Sequence, residues 1–85
     1  MPGVLARVYV TPKPGILDPQ GKAVQHSLHT LGFGEVNDVR VGRYIEVRLR
    51  DLAPDAATAR VREMCQRLLA NGVIEDFRIE LGEER

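Results

Sequence analysis

Few residues in this 85-residue sequence have the type and spacing that a catalytic or metal site requires. The single cysteine, Cys65, falls within a helical stripe of apolar residues, which predicts a buried small side chain rather than a nucleophile. His26 and His29 share one side of a predicted helix, but no third ligand accompanies them and no CxxC follows the first predicted strand. We therefore interpret both histidines as surface residues, and we predict no catalytic residue and no metal site.

The sequence also contains little that indicates an anion-binding or nucleotide-binding site. Gly32-Phe33-Gly34 lacks the glycine spacing of a dinucleotide-binding loop. The loop from Pro12 to Gly21 leads into a helix whose first N–H groups could receive an anion, but Asp18 already supplies a negative charge there. An acylphosphatase-like enzyme would need an anion-cradling loop with a positioned arginine, which residues 12–15 do not resemble. The four aromatic residues, with no aromatic-rich run, are too few for RNA base stacking.

Composition predicts one globular domain over residues 1–85. Apolar residues make up 44% and charged residues 28%, and 12 basic side chains balance 12 acidic ones. A neutral chain lacks the basic face of a nucleic-acid binder and the basic amphipathic helix of a membrane-surface protein, so we expect neither partner. One cysteine, with no signal-like or membrane-spanning stretch, makes the cytoplasm the expected location. We expect no cofactor to bind this chain.

The pattern of apolar residues predicts the element order β-α-β-β-α-β. Strands are expected at 4–11, 36–41, 43–50 and 74–81. Helices are expected at 18–31 and from the end of the break at 51–55 to about residue 70. Asp18 should cap the first helix, Gly32 should end it, and Gly42 should make a tight turn between the two middle strands. The simplest packing is an α+β, ferredoxin-like fold, with a four-stranded antiparallel sheet and both helices on one face. Residues 82–85 are expected to form a frayed tail.

Two surfaces of these elements can be assigned before any fold is known. The second helix should face the core with a stripe of residues at helical spacing, namely Ala57, Val61, Met64, Cys65 and Leu68. The sheet face without helices should carry Leu5, Arg7 and Tyr9, together with Tyr44, Glu46, Arg48 and Arg78. That face is either a solvated mixed surface or a self-association surface, because tyrosine and arginine suit partly wet contacts.

Three segments carry a family resemblance. They read VYVTPKPGILDPQGKA over residues 8–23, VRVGRYIE over 39–46 and NGVIEDF over 71–77. These segments resemble the PurS family, the small subunit of phosphoribosylformylglycinamidine synthase, and the similarity covers nearly the whole chain at the family's spacing. The run from Lys13 to Ala23 is the most specific of the three.

The resemblance implies a non-catalytic part of a larger enzyme. In such an assembly a PurQ-type glutaminase subunit releases ammonia from glutamine. A PurL-type synthetase subunit then uses ATP, Mg²⁺ and that ammonia to convert formylglycinamide ribonucleotide to formylglycinamidine ribonucleotide in purine biosynthesis. A PurS-like chain is expected to form a homodimer or a higher homo-oligomer, to bridge the two other subunits and to assist ammonia transfer.

Exposed turns in the family-like segments are the predicted contacts with partner subunits. They contain Lys13, Gly15 and Asp18 in the first loop, and Gly42, Arg43 and Tyr44 in the second. We expect Arg43→Glu to weaken partner binding without unfolding the domain. Two other hypotheses are an ACT-like regulatory module and an acylphosphatase-like enzyme. The ACT-like module shares the element order and would bind an amino acid directly, whereas the acylphosphatase-like enzyme would hydrolyse an acyl phosphate alone.

Overall fold

A computed structural model describes residues 3–50 and 52–83 of the chain. This part forms β1 (Val4–Pro12), α1 (Pro19–Thr30), β2 (Arg43–Leu49), α2 (Pro54–Met64) and β3 (Glu75–Glu83), and a π-helical turn (Cys65–Leu69) continues α2. The three strands are antiparallel in the order β2-β1-β3. These features confirm the α+β class and the antiparallel sheet. Because β3 continues to Glu83, the predicted tail is wrong for residues 82–83, and residues 84–85 lie outside the described part.

The core lies between α2 and one face of the sheet. Alternation along β1 places Ala6, Val8 and Val10 on this face, and all three are fully buried. Val61 of α2 and Cys65, the first residue of the π-helical turn, pack into the same cluster. The predicted burial of Cys65 is therefore confirmed, and burial raises the pKa of its thiol.

The end of α2 departs from regular helical geometry. The N–H of Ala70 donates to the carbonyl of Cys65, five residues earlier, at 3.0 Å, which is the bond of a π-helical turn. The wider turn rotates Leu68 outward, where it is 82% exposed, and Leu69 packs against the core instead. The prediction that Leu68 belongs to the core stripe is wrong for this reason.

α1 is capped at both ends as predicted, but it does not pack on the sheet. The Asp18 side chain accepts the Gly21 N–H at 3.0 Å, and Gly32 closes the other end with φ of 102° and a bond from its N–H to the His29 carbonyl. Among the described residues, the extensive contacts join β1 with both other strands and α2 with β1 and β3, and α1 makes none of similar size. The prediction that both helices cover one face of the sheet is thus wrong for α1.

The strand predicted at 36–41 is absent, because this segment runs back beside α1 instead. The N–H of Val41 donates to Asp18 at 2.9 Å. Gly21 is buried against the Val39 carbonyl, and a Cβ on this glycine would lie 2.3 Å from that oxygen. Residues 36–41 therefore lie against α1 instead of a neighbouring strand, and the described part of the chain contains three strands where four are predicted.

Gly42 continues the chain into β2 instead of reversing it, so the predicted tight turn is wrong. The backbone passes so close to β1 at this point that a Cβ on Gly42 would lie 2.1 Å from the Val10 carbonyl oxygen. We call residues 18–42 the arm. The arm gives the molecule dimensions of 51 × 29 × 14 Å and a radius of gyration of 16.4 Å, whereas a compact chain of this length would have about 12 Å.

Candidate functional site

Five of the six residues predicted to contact partners gather at one end of the sheet, where β1 ends and β2 and β3 begin. The Lys13 N–H donates to the Ile74 carbonyl at 2.9 Å, and its ammonium pairs with Asp76 at 2.8 Å. Gly15 has φ of 85°, and the Ile16 N–H donates to the Lys13 carbonyl at 3.2 Å. Proline followed by such a glycine is the sequence of a type II turn. The first loop is thus fixed to the start of β3 by its own backbone.

Asp18 lies between two adjoining clefts at this end of the sheet. The larger cleft, of about 530 Å³, opens toward residues 38–40, and the smaller one, of about 300 Å³, opens toward Gly42 and Arg43. Hydrogen bonds from the N–H groups of Val41 and Gly21 hold the pKa of the Asp18 carboxyl below its usual value. Asp18 therefore joins the two ends of the arm as a carboxylate.

Arg43 is bonded within its own chain. Its guanidinium donates to both carboxylate oxygens of Glu75 at 2.9 Å, and one nitrogen also donates to the Leu69 carbonyl at 2.8 Å. Glu75 accepts the Asn71 N–H as well, at 2.8 Å, and the bonds from Arg43 and Asn71 lower the pKa of Glu75. Arg43 thus connects β2, β3 and the π-helical turn. Contrary to the expectation from sequence, we expect Arg43→Glu to destabilise the domain, because it would place two carboxylates together.

The open face of the sheet carries Leu5, Arg7 and Tyr9, as their alternation along β1 predicts. Leu5 is only 8% exposed. Gly82 lies opposite Leu5 in the register, and the Arg7 guanidinium extends over it, since a Cβ on Gly82 would be 3.0 Å from Arg7 Nη1. Leu5 therefore offers little apolar area to a second molecule, while Arg7 and Tyr9 are half-buried.

The sixth predicted contact, Tyr44, lies on this open face beside Tyr9. The two ring centroids are 5.2 Å apart, with 43° between the planes. Tyr9 donates its hydroxyl to Glu80, and Tyr44 donates to Glu46, each at 2.8 Å. The Arg78 guanidinium lies 4.2 Å from the Tyr9 ring centroid and donates to Glu80 at 2.8 Å. Bonding to carboxylates raises the pKa of both tyrosines.

Two negative findings apply to the described residues. Neither helix there has the length and apolar character needed to cross a membrane. In the same residues, no group of three or more His, Cys, Asp or Glu side chains could hold a metal ion.

Comparison with known proteins identifies the family. The model for PurS, described as phosphoribosylformylglycinamidine (FGAM) synthase, matches residues 5–83. The chain belongs to the PurS family. The FGAM synthase subunit PurS of Bacillus subtilis is 51% identical over 77 residues, which cover 91% of this chain and 90% of that protein. The PurS subunit of Synechocystis is also 51% identical over 77 residues, covering 88% of this chain and 75% of its own.

Solved structures of PurS agree with the fold. A crystal structure of B. subtilis PurS is 49% identical and superposes with a TM-score of 0.83, covering 94% of this chain and 99% of that one. A structure of PurLQS from Thermotoga maritima contains a chain that is 25% identical, with a TM-score of 0.83 and coverage of 99% and 100%. The chain is therefore a PurS subunit of FGAM synthase in purine biosynthesis, as the resemblance implies.

Two acidic side chains of this PurS chain that bond to predicted contact residues were not predicted from the sequence. Glu75 and Asp76 reach Arg43 and Lys13 only because β3 pairs with β1, and that pairing cannot be derived from local pattern. The link between Tyr44 and Glu46 had a local signal, since residues two apart on a strand share a face.

Proposed function

We propose that this chain is the non-catalytic subunit that bridges a PurQ-type glutaminase and a PurL-type synthetase in the cytoplasm, and that it assists ammonia transfer between them. The observation that carries the proposal is the family match over residues 5–83, supported by the likeness to a chain of a PurLQS structure. In this function ATP and Mg²⁺ are used by the synthetase subunit, and this chain binds no cofactor.

The physical reason for a bridging subunit is containment. Ammonia released into water is diluted and becomes mostly ammonium, which is not a nucleophile. Holding two active sites in a fixed relation keeps the effective concentration of ammonia high at the second site. A subunit with this task needs complementary surfaces and no reactive group. The loop end, which contains Lys13, Gly15, Asp18, Gly42 and Arg43, is the surface that we propose for one of these contacts.

We also propose that a second copy of the chain covers the arm. Three apolar side chains of the arm are exposed, with 39% for Val24, 71% for Leu31 and 48% for Phe33. At the same time α2 covers β1 and β3, and Ile45 and Val47 on the inner side of β2 stay only partly buried. In one chain, therefore, α1 packs on no sheet, and the inner side of β2 is left for a second helix to cover.

Exchange of arms between two copies would bury both the apolar residues of the arm and the inner side of β2. β2 is an edge strand, and residues 36–41 have a strand-like sequence but pair with no strand in the described chain. Placed against β2 of the other copy, this segment would supply the fourth strand, and α1 would lie beside α2. The four-stranded ferredoxin-like arrangement would then exist in the homodimer. The proposed self-association face of Leu5, Arg7 and Tyr9 is less favoured, because Leu5 is already covered.

Reconstitution tests the bridging function. Purified synthetase and glutaminase subunits are assayed with and without this chain, using first glutamine and then an ammonium salt as nitrogen source. We expect glutamine-dependent turnover to need the chain, and ammonia-dependent turnover to be largely independent of it. Equal glutamine-dependent turnover without the chain would refute the proposal, and the ACT-like module would then be tested by thermal shift with a panel of amino acids.

Sedimentation tests the exchange of arms. Leu31, the residue that follows α1, is one of the three exposed apolar residues of the arm. Leu31→Asp introduces a charge there and should shift the wild-type dimer toward monomer. His26→Asp makes a similar change on the opposite side of α1 and serves as the matched control. A wild-type chain that remains monomeric at high concentration, or a Leu31→Asp variant that dimerises like wild type, would exclude the exchange.

A further inference from the structure

The smaller cleft at the loop end is lined by three apolar side chains that were not among the predicted contacts. Ile16 is 39% exposed, Leu17 is 75% exposed and Ile74 is 41% exposed. Ile16 and Leu17 lie in the loop after β1, and Ile74 directly precedes β3, so the pairing of β1 with β3 brings them to one cleft. An apolar surface is therefore open to solvent beside the residues that were predicted to contact partners.

The loop that carries Leu17 is fixed at both of its ends. On the side of β1, the Lys13 N–H donates to the Ile74 carbonyl at 2.9 Å. On the side of α1, the Asp18 carboxylate accepts two backbone N–H groups of the arm. Leu17 is thus held in solvent by an ordered loop. A side chain presented in this way loses little conformational entropy when a partner covers it.

The charged residues that line the smaller cleft are bonded within the chain. Arg43 and Glu75 bond to each other, and Asp18 accepts the two N–H groups of the arm. A charged group of a partner would have to leave water here without a free counter-charge to receive it, which costs free energy. An apolar group gains from burial instead. The cleft therefore favours an uncharged apolar side chain, and its volume of about 300 Å³ is at the lower limit for a small-molecule pocket.

We propose that the smaller cleft receives an apolar side chain of another FGAM synthase subunit, and that Leu17 is covered in the same contact. The inference rests on the proposed bridging function and identifies the residues that supply most of the affinity at the loop end. The predicted contacts Lys13 and Arg43 position this surface, because their charges already pair with Asp76 and Glu75.

A second copy of the chain is not the expected occupant. The proposed exchange of arms buries Val24, Leu31 and Phe33 together with the inner side of β2, and none of these three residues lines the smaller cleft. The exchange thus does not account for the exposure of Leu17. Sedimentation of Leu17 variants distinguishes the two occupants.

Binding measurements with Leu17 variants test the contact. The purified chain is titrated into the glutaminase subunit, the synthetase subunit and their mixture. Leu17→Ala removes most of a side chain that the contact would bury, so we expect the Kd to rise about ten- to thirtyfold. Leu17→Met nearly keeps the volume and should raise it less than about threefold. Leu68→Ala is the matched control, because Leu68 is 82% exposed and lies outside the cleft.

The dependence on salt separates an apolar contact from a charged one. The ratio of the Kd of Leu17→Ala to that of the wild type should be the same at low and at high sodium chloride, because salt screens charges and not apolar contacts. Leu17 is mostly exposed in one chain, so thermal unfolding and sedimentation of each variant alone should match the wild type.

The outcomes separate the two proposals. If the wild type binds and Leu17→Ala stays within about twofold of it, or if Leu68→Ala loses as much as Leu17→Ala, the cleft contact is refuted while the bridging function stands. A ratio that falls toward one at high salt, or a shift of Leu17→Ala toward monomer, would also refute the contact. If the wild type binds neither subunit nor their mixture, the bridging function fails and the contact fails with it.

Discussion

Arg43→Gln should destabilise the domain, because the Arg43 guanidinium bonds β2 to both β3 and the π-helical turn. The change removes two bonds to Glu75 and one to the Leu69 carbonyl. The Arg43 side chain is 51% exposed and that of Glu75 is 17% exposed, so the pair is partly screened by water. A bidentate pair at such a site contributes up to about 1 kcal/mol, and the carbonyl bond adds about 0.5–1 kcal/mol.

We therefore expect the free energy of unfolding to fall by about 1–2 kcal/mol, which corresponds to a Tm lower by about 5–10 °C in a domain of this size. Urea and thermal unfolding at one fixed protein concentration measure the change, since self-association also affects Tm. Arg67→Gln is the matched control. Arg67 pairs with Glu63 on one helix and is 77% exposed, so its loss should cost at most about 0.5 kcal/mol.

The dependence on pH gives an independent check. The pKa of Glu75 is lower in the folded protein than its ordinary value of 4.5. Its contribution to stability is therefore complete above that value, and it is lost as the pH falls through the folded pKa. Arg43→Gln should make stability less dependent on pH in this acidic range. The reasoning is refuted if Arg43→Gln costs no more than Arg67→Gln, or if its acid unfolding is as steep as that of the wild type.

Three further predictions concern the arm, its base and the core. Gly42→Ala should cost about 2 kcal/mol or more in urea unfolding, because its Cβ would collide with the backbone of β1; Gly72→Ala, with open space around it, should not. Asp18→Ala should reduce the helicity measured by circular dichroism at pH values above the lowered pKa of Asp18. The difference from wild type should vanish as the pH falls through that pKa. An unchanged spectrum would count against the role of Asp18 as a helix cap. Cys65 should react with a thiol reagent only after unfolding, because it is fully buried with a raised pKa; rapid labelling of the native chain would contradict this.

The sequence pattern predicted those features of the fold that depend only on residues close together in the chain. The alternation in β1, β2 and β3 and the caps of α1 at Asp18 and Gly32 depend on neighbouring residues, and the structure contains them within one or two residues of the predicted bounds. The exposed position of Leu68 could not be foreseen, because a regular helical period places Leu68 in the core stripe and the π-helical turn breaks that period.

Contacts between segments that are far apart in the sequence could not be predicted from local sequence pattern. Residues 36–41 have the composition of a strand, but whether such a segment pairs with β2 or lies along α1 depends on which surface is nearby in the folded state. Gly42 is compatible with a turn or with a close passage past β1, and only the packing decides between them. Arg43 is exposed as predicted, but it begins β2 instead of lying in a turn. Its bond to Glu75 required knowledge of the strand order.

The edge position of β2 also has a consequence for amide hydrogen exchange. β1 lies between two strands, so its amides bond on both sides of the strand, whereas alternate amides of β2 and β3 point away from the sheet. In a single chain the outward amides of β2 and β3 should exchange with solvent deuterium at similar rates. If the arm of a second copy pairs with β2, the outward amides of β2 become slow while those of β3 stay fast. Deuterium uptake at these two edges therefore reports the arm's position.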